Sequence, residues 1–330
     1  MGAFDRIWRK TSKGYECVNK EVSVENPELL DQAIEECREA LKINPDDSEN
    51  HYRLALVLHD KGDLDEAINE YREALKISPE IADAHFRLGV AFNEKGLIDK
   101  ALDEYKEALR INPEVSQVHN NLGIILRDKG LLDEAIIEFK EAIRIDPEDP
   151  FPHNNLGLVF YKKGLFNEAI KEYLEGIRIN RQDAEAHTHL GATFYGCGFL
   201  DEAISEFREV VRIDPMNPEA HFNMGVIFKE KGLLDEAIKE YREALGINPE
   251  YEEAHHNLGI AFHDKGLFNE AIKEYREALG IKPEEGNVHT SLGAALGALG
   301  LYDEAIKEFK EALRINPEDT MAHKKIRGCS

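Results

Sequence analysis

Histidine is the side chain most often recruited for proton transfer or metal binding at neutral pH, and in this chain it returns on a fixed interval. His51, His85, His119, His153, His187, His221, His255, His289 and His323 are each 34 residues apart and make up nine of the thirteen histidines. Such a row has three chemical readings: metal ligands, general bases, or a packing residue. A metal needs its ligands to converge within ~2.0–2.1 Å of one point. Equivalent residues on neighbouring packed helices lie roughly 8–10 Å apart or more, so equivalent histidines do not share an ion. His187 and His189 are two apart and point to different faces of a helix, and Cys197 lies eight residues further on. No nucleophile is paired with a base, and the glycines fall too regularly to cradle a phosphate. The packing reading is the one left, with no catalytic residue, no metal and no cofactor expected. A buried neutral imidazole would have a pKa below about 6.5, and stability would then fade as pH falls beneath that value.

The elements that carry the histidine follow from the rest of the period. Leucine recurs three residues after it, as at Leu122, and glycine four residues after it, as at Gly123. Another glycine stands eleven residues on, from Gly62 to Gly300, and alanine sixteen residues on, from Ala67 to Ala305. Tyr or Phe stands twenty residues on, as at Tyr71, Phe139 and Phe309, and proline twenty-eight on, except at Arg181. Leu122, Ile125 and Leu126 have helical spacing, and so do Ala135, Ile136, Phe139, Ala142 and Ile143. The spacing predicts two helices per period. The eleventh-place glycine suits a left-handed cap between them, and the proline ends the second. Asp133 and Asn167 are placed to cap second helices. The mid-helix Gly123 is expected to let Ala135 approach closely.

This pattern resembles the tetratricopeptide repeat. The resemblance covers roughly residues 48–319 as eight repeats, with a half repeat at 26–47, a tip and linker at 1–25, and a capping segment at 320–330. It implies an all-α fold: a right-handed α-solenoid superhelix of antiparallel helix-turn-helix units, its first helices lining a concave groove. In some relatives an asparagine two places after the histidine position holds the backbone of an extended peptide. Here that place carries Asn121, Asn155, Asn223 and Asn257. An amide both donates and accepts, so it matches a peptide unit of any sequence; it could equally be bonded within its own repeats. Phe151, Tyr161, Tyr195 and Phe222 gather near the centre of the array, where an apolar patch would take a peptide's side chains. The lysine–asparagine–arginine clamp of the chaperone-binding relatives is missing: its lysine place holds Tyr52, Phe86, Asn120 or Thr188.

Composition narrows the partner. A net charge of −24 repels phosphate backbones, so nucleic acid is not expected. No apolar run is long enough to span a membrane, the leader MGAFDRIWRKTSKG does not read as a secretory signal, and four unpaired cysteines fit a cytoplasmic protein. The expected activity is non-enzymatic: a protein-interaction scaffold that binds a peptide segment of another protein, with no small-molecule substrate. The alternative is a peripheral membrane platform. Phe4, Ile7 and Trp8 stand at i, i+3 and i+4 among Arg6, Arg9, Lys10 and Lys13. That short stretch resembles the amphipathic tip of the phage-shock and thylakoid membrane-remodelling family, which lies on lipid. The acidic face of the second helices, including Glu240, is expected to be solvated.

Overall fold

The computed structural model describes residues 8–11, 14–17 and 27–329. The chain divides into two compact units, Met1–Val159 and Phe160–Ser330. In the first, β1 (Trp8–Thr11) pairs antiparallel with β2 (Gly14–Cys17), Trp8 standing opposite Cys17 and Thr11 opposite Gly14. This corrects the helical reading of the tip at Trp8. Trp, Thr and Tyr favour extended backbone, and Gly14 would weaken a helix run through it. Phe4 and Ile7 lie outside the described residues.

Helices follow in pairs. After α1 (Pro27–Ile43) come α2 (Ser48–Lys61) with α3 (Leu64–Ile77), α4 (Ala82–Glu94) with α5 (Ile98–Ile111), and α6 (Ser116–Asp128) with α7 (Leu132–Ile145). Next stand α8 (Pro150–Lys162) and α9 (Phe166–Ile179). The second unit continues with α10 (Ala184–Gly196) and α11 (Leu200–Ile213), α12 (Pro218–Glu230) and α13 (Leu234–Ile247), and α14 (Glu252–Asp264) and α15 (Phe268–Ile281). It closes with α16 (Gly286–Ala298), α17 (Tyr302–Ile315) and α18 (Thr320–Cys329). Within each unit paired helices pack on each other, as α2 on α3 and α12 on α13, and second helices pack on the following first helix, as α3 on α4 and α13 on α14. The architecture is all-α apart from the leading hairpin. Among the described residues no helix is long and apolar enough to cross a membrane.

Local chemistry sets the boundaries. Each glycine eleven places after the histidine has a left-handed φ of 71–88° and ends a first helix, as expected. The second helices start earlier than the capping expectation, with Leu131 as the cap instead of Asp133 and Leu165 instead of Asn167. These caps make no side-chain bond, and Asp133 and Asn167 lie inside the helices. Equivalent aspartates bridge repeats instead: Asp31 accepts from Lys61 and Asp99 from Lys129, both at 2.8 Å, and Asp65, Asp201 and Asp235 accept from Lys95, Lys231 and Lys265. Exposed pairs of this kind contribute about 0–1 kcal/mol each. The two positions change together: where Asn167 and Asn269 replace the aspartate, Cys197 and Leu299 stand at the lysine's place thirty residues on.

The mid-helix glycine admits the second helix closely, and the nearest part of it is an aromatic ring. A Cβ at Gly123 would sit 2.7 Å from the Phe139 ring, and at Gly259 2.5 Å from the Tyr275 ring. The glycine therefore admits the aromatic twenty places after the histidine, and at Gly89 the carbonyl of the sixteenth-place Ala101 also stands 3.3 Å from where a Cβ would be. Those rings are the largest fully buried side chains, among them Tyr71, Tyr105, Phe139, Tyr173, Phe207 and Tyr241.

Candidate binding face

The histidines end in hydrogen-bonded ties. In seven repeats Nδ1 lies 2.6–2.8 Å from a carboxylate nineteen residues on, pairing His51 with Glu70, His85 with Glu104, His119 with Glu138, His187 with Glu206, His221 with Glu240, His255 with Glu274 and His289 with Glu308. Nε2 lies 2.9–3.1 Å from a proline carbonyl six residues back at His51, His85, His119, His255 and His289. Both partners are acceptors, so the ring satisfies both only as a doubly protonated imidazolium. Burial pulls the pKa of His51, His85 and His119 down, but the carboxylate and carbonyl outweigh it and the net direction is up. At His187 and His255 the glutamate bond is the largest influence, and the direction is again up. This overturns the neutral-histidine expectation. It also removes Glu240 from the solvated face, since its side chain is 14% exposed and tied to His221. The missed signal was glutamate at a spacing of nineteen in every repeat, from Glu70 to Glu308.

The residues expected to hold a peptide fare differently from one another. In the first unit Asn155 accepts from Arg127 Nη1 at 2.9 Å and donates to Asn120 Oδ1 at 3.1 Å. Asn121 interacts with the buried Tyr105 hydroxyl. Phe151 is 64% exposed. In the second unit Asn257 donates to the Glu253 carbonyl at 2.9 Å and accepts from Lys229 at 3.3 Å. The Phe222 ring packs 5.9 Å from Tyr241 and 5.0 Å from Tyr251, at the margin of the core. Tyr161 is exposed and lies 5.6 Å from Phe166. His189 stacks on Tyr173, with ring centroids 5.7 Å apart.

Asn223 differs from the other three. It has no hydrogen-bond partner among the described residues, and with Tyr195, Ala192, Phe207, Val226 and Ile227 it lines a hollow of about 70 Å³. Tyr195 stands exposed at its edge, and the Glu230 carboxylate beside it moves the phenol's pKa up. An unengaged amide beside an apolar hollow and an aromatic ring supplies a backbone bond and a side-chain socket together.

Comparison with known proteins gives the lineage. Residues 26–258 match the family model described as Cilia and flagella-associated protein 70 C-terminal domain. Residues 261–300 match a TPR repeat model and 286–319 a tetratricopeptide repeat model. No curated protein matches the chain. Among solved structures, the C-terminal part of a TPR repeat-containing protein from Cytophaga hutchinsonii aligns with a TM-score of 0.63 at 20% identity, covering 73% of this chain and 99% of that one. A tetratricopeptide repeat protein from Parabacteroides merdae aligns at 0.55 and 18% identity, covering 75% and 98%. YrrB, described as a TPR protein with an unusual peptide-binding site, aligns at 0.50 and 18% identity, covering 57% and 97%. At such identities these likenesses speak for the fold alone. With its repeats matched by family models along most of its length, the chain belongs to the tetratricopeptide-repeat family, in the group described by the Cilia and flagella-associated protein 70 C-terminal domain.

Proposed function

We propose that the chain is a protein-interaction scaffold that takes an extended peptide of its partner on the first-helix face of its second unit. The observation that carries this is Asn223: its amide is unengaged beside the Ala192–Tyr195–Val226 hollow. Asn155 and Asn257 are bonded within the protein and serve the repeats first. The test starts with peptides selected from a random displayed library on the immobilised full chain. Asn223→Ala and Tyr195→Ala should each bind the selected peptides about tenfold more weakly, near the 1–3 kcal/mol of a desolvated hydrogen bond. Lys239→Ala, at an exposed position of α13, should bind normally. Full affinity in both site variants would move the binding surface elsewhere. Asn155→Ala, by contrast, should lower the melting temperature, because it strips partners from Arg127 and Asn120.

A further inference from the structure

A larger cavity opens in the second unit, lined from α14, α15, α16, α17 and α18, with a volume of about 690 Å³. It arises from three truncated side chains. Where α14 carries Ile260, His263 and Asp264, α16 carries Ala294, Gly297 and Ala298. Packing does not demand the glycine at 297. A Cβ there would meet only the Ala305 Cβ, at an ordinary 3.9 Å. Gly293 one turn earlier is different, since its Cβ would strike the Phe309 ring at 2.7 Å. Glycine inside a helix costs roughly 1 kcal/mol against alanine, so the hollow at 297 exists at some expense and without a steric cause.

Its walls and rim have a definite chemistry. Phe268, Tyr302 and Met321 supply apolar surface, and Tyr302 and Met321 are 54% and 53% exposed. Lys324 and Lys325 stand at the edge, and no carboxylate is among the lining residues. Neither lysine has a carboxylate partner among the described residues, in a chain whose net charge is −24. The space lies within the usual ~300–1,000 Å³ of a ligand pocket, enough for one large ring with its adjoining backbone. Rings such as Phe268 and Tyr302 prefer edge or offset contact with another ring.

We propose that this cavity docks an aromatic side chain flanked by carboxylates in a partner peptide. The ring enters the space left by Gly297, Ala294 and Ala298, and the carboxylates meet Lys324 and Lys325. Most of the remaining surface repels such a peptide, so the lysine rim selects the place as well as the partner. This cavity shares no residue with the Asn223 hollow, and the proposal stands or falls separately from the reading above.

The probe is a short fluorescein-labelled peptide with one tryptophan between paired aspartates, titrated into the full chain by fluorescence anisotropy. Replacing its tryptophan by serine, or its aspartates by lysines, should weaken binding about tenfold or more. Gly297→Phe, which fills the cavity from within, should do the same without lowering the melting temperature. Should that variant fold poorly, the double variant Lys324→Glu, Lys325→Glu at exposed positions gives an independent reading and should also bind tenfold more weakly. Asn223→Ala should bind this probe normally. Equal binding of the serine peptide would reduce the effect to charge alone and overturn the proposal. So would normal binding by the lysine variant, or loss of binding in Asn223→Ala.

Discussion

Raising the pH from about 6 to about 8.5 is expected to lower the melting temperature of the protein. Five imidazoles, those of His51, His85, His119, His187 and His255, have folded pKa values above the reference of 6.5. A raised folded value means that the folded state holds the proton more tightly than the unfolded chain does. The stabilisation is complete below the unfolded value of about 6.5 and is lost as pH rises through the folded values. The repeats multiply one small effect, and each tie joins the two helices of one hairpin. Glu138→Gln tests one tie, where the two side chains are 11% and 23% exposed. A hydrogen bond to a charged group contributes about 1.5–3 kcal/mol, so this variant should melt earlier at pH 6 and show a shallower slope with pH. A melt that is flat over this range, or one that rises with pH, would show that the imidazoles are neutral in the folded state.

The repeat itself was legible because its signals are local. Gly62, Gly130 and their equivalents declare a left-handed turn by residue type alone, and the structure has it at each. The apolar stripe containing Ala135, Phe139 and Ala142 is buried as its 3.6-residue spacing demands. Signals that join two helices were harder to read. The spacing between His119 and Glu138 looks like two unrelated surface residues until the hairpin folds and brings them to 2.7 Å. Gly123 is legible as a close approach, but the Phe139 ring that comes nearest to it is set by the helix direction, which residue types do not give. At the tip, three apolar residues at helical spacing were too short a run to outweigh the strand preference of Trp8, Thr11 and Tyr15.

The binding face was legible as a register and not as an inventory. Two places after the histidine, four asparagines look alike in sequence. The structure separates three of them by their neighbours: Arg127 and Asn120 of the preceding repeat around Asn155, Lys229 of the preceding repeat and the Glu253 carbonyl of its own helix around Asn257, and an open hollow around Asn223. Whether an amide is free is a property of its neighbours. Likewise, the truncations at Ala294, Gly297 and Ala298 read as ordinary helix residues until the missing volume is seen against Phe268 and Tyr302.

The second large effect depends on which glycine is replaced. A Cβ at Gly259 would lie 2.5 Å from Tyr275 Cε1 and 2.7 Å from Cδ1. That ring is 1% exposed and wedged in the core, so it has little room to yield. Overpacking costs about 1–3 kcal/mol for each intruding group, against roughly 1 kcal/mol gained when alanine replaces glycine in a helix. Gly259→Ala is therefore expected to destabilise despite its better helix propensity, and Gly259→Leu to do so more strongly. Gly191 should be milder, because its Cβ would stand 3.2 Å from the Phe207 ring. Gly246 and Gly280 give the opposite sign. Both lie in the last turns of second helices, and an added Cβ meets nothing within 4 Å. Alanine there should raise stability by up to about 1 kcal/mol each, partly by restricting the unfolded chain. Melting curves of Gly259→Ala, Gly191→Ala and Gly280→Ala should thus rank in that order from least to most stable. If Gly259→Ala melts at or above the parent temperature, the aromatic ring has room to move, and the close approach is not what fixes the hairpin.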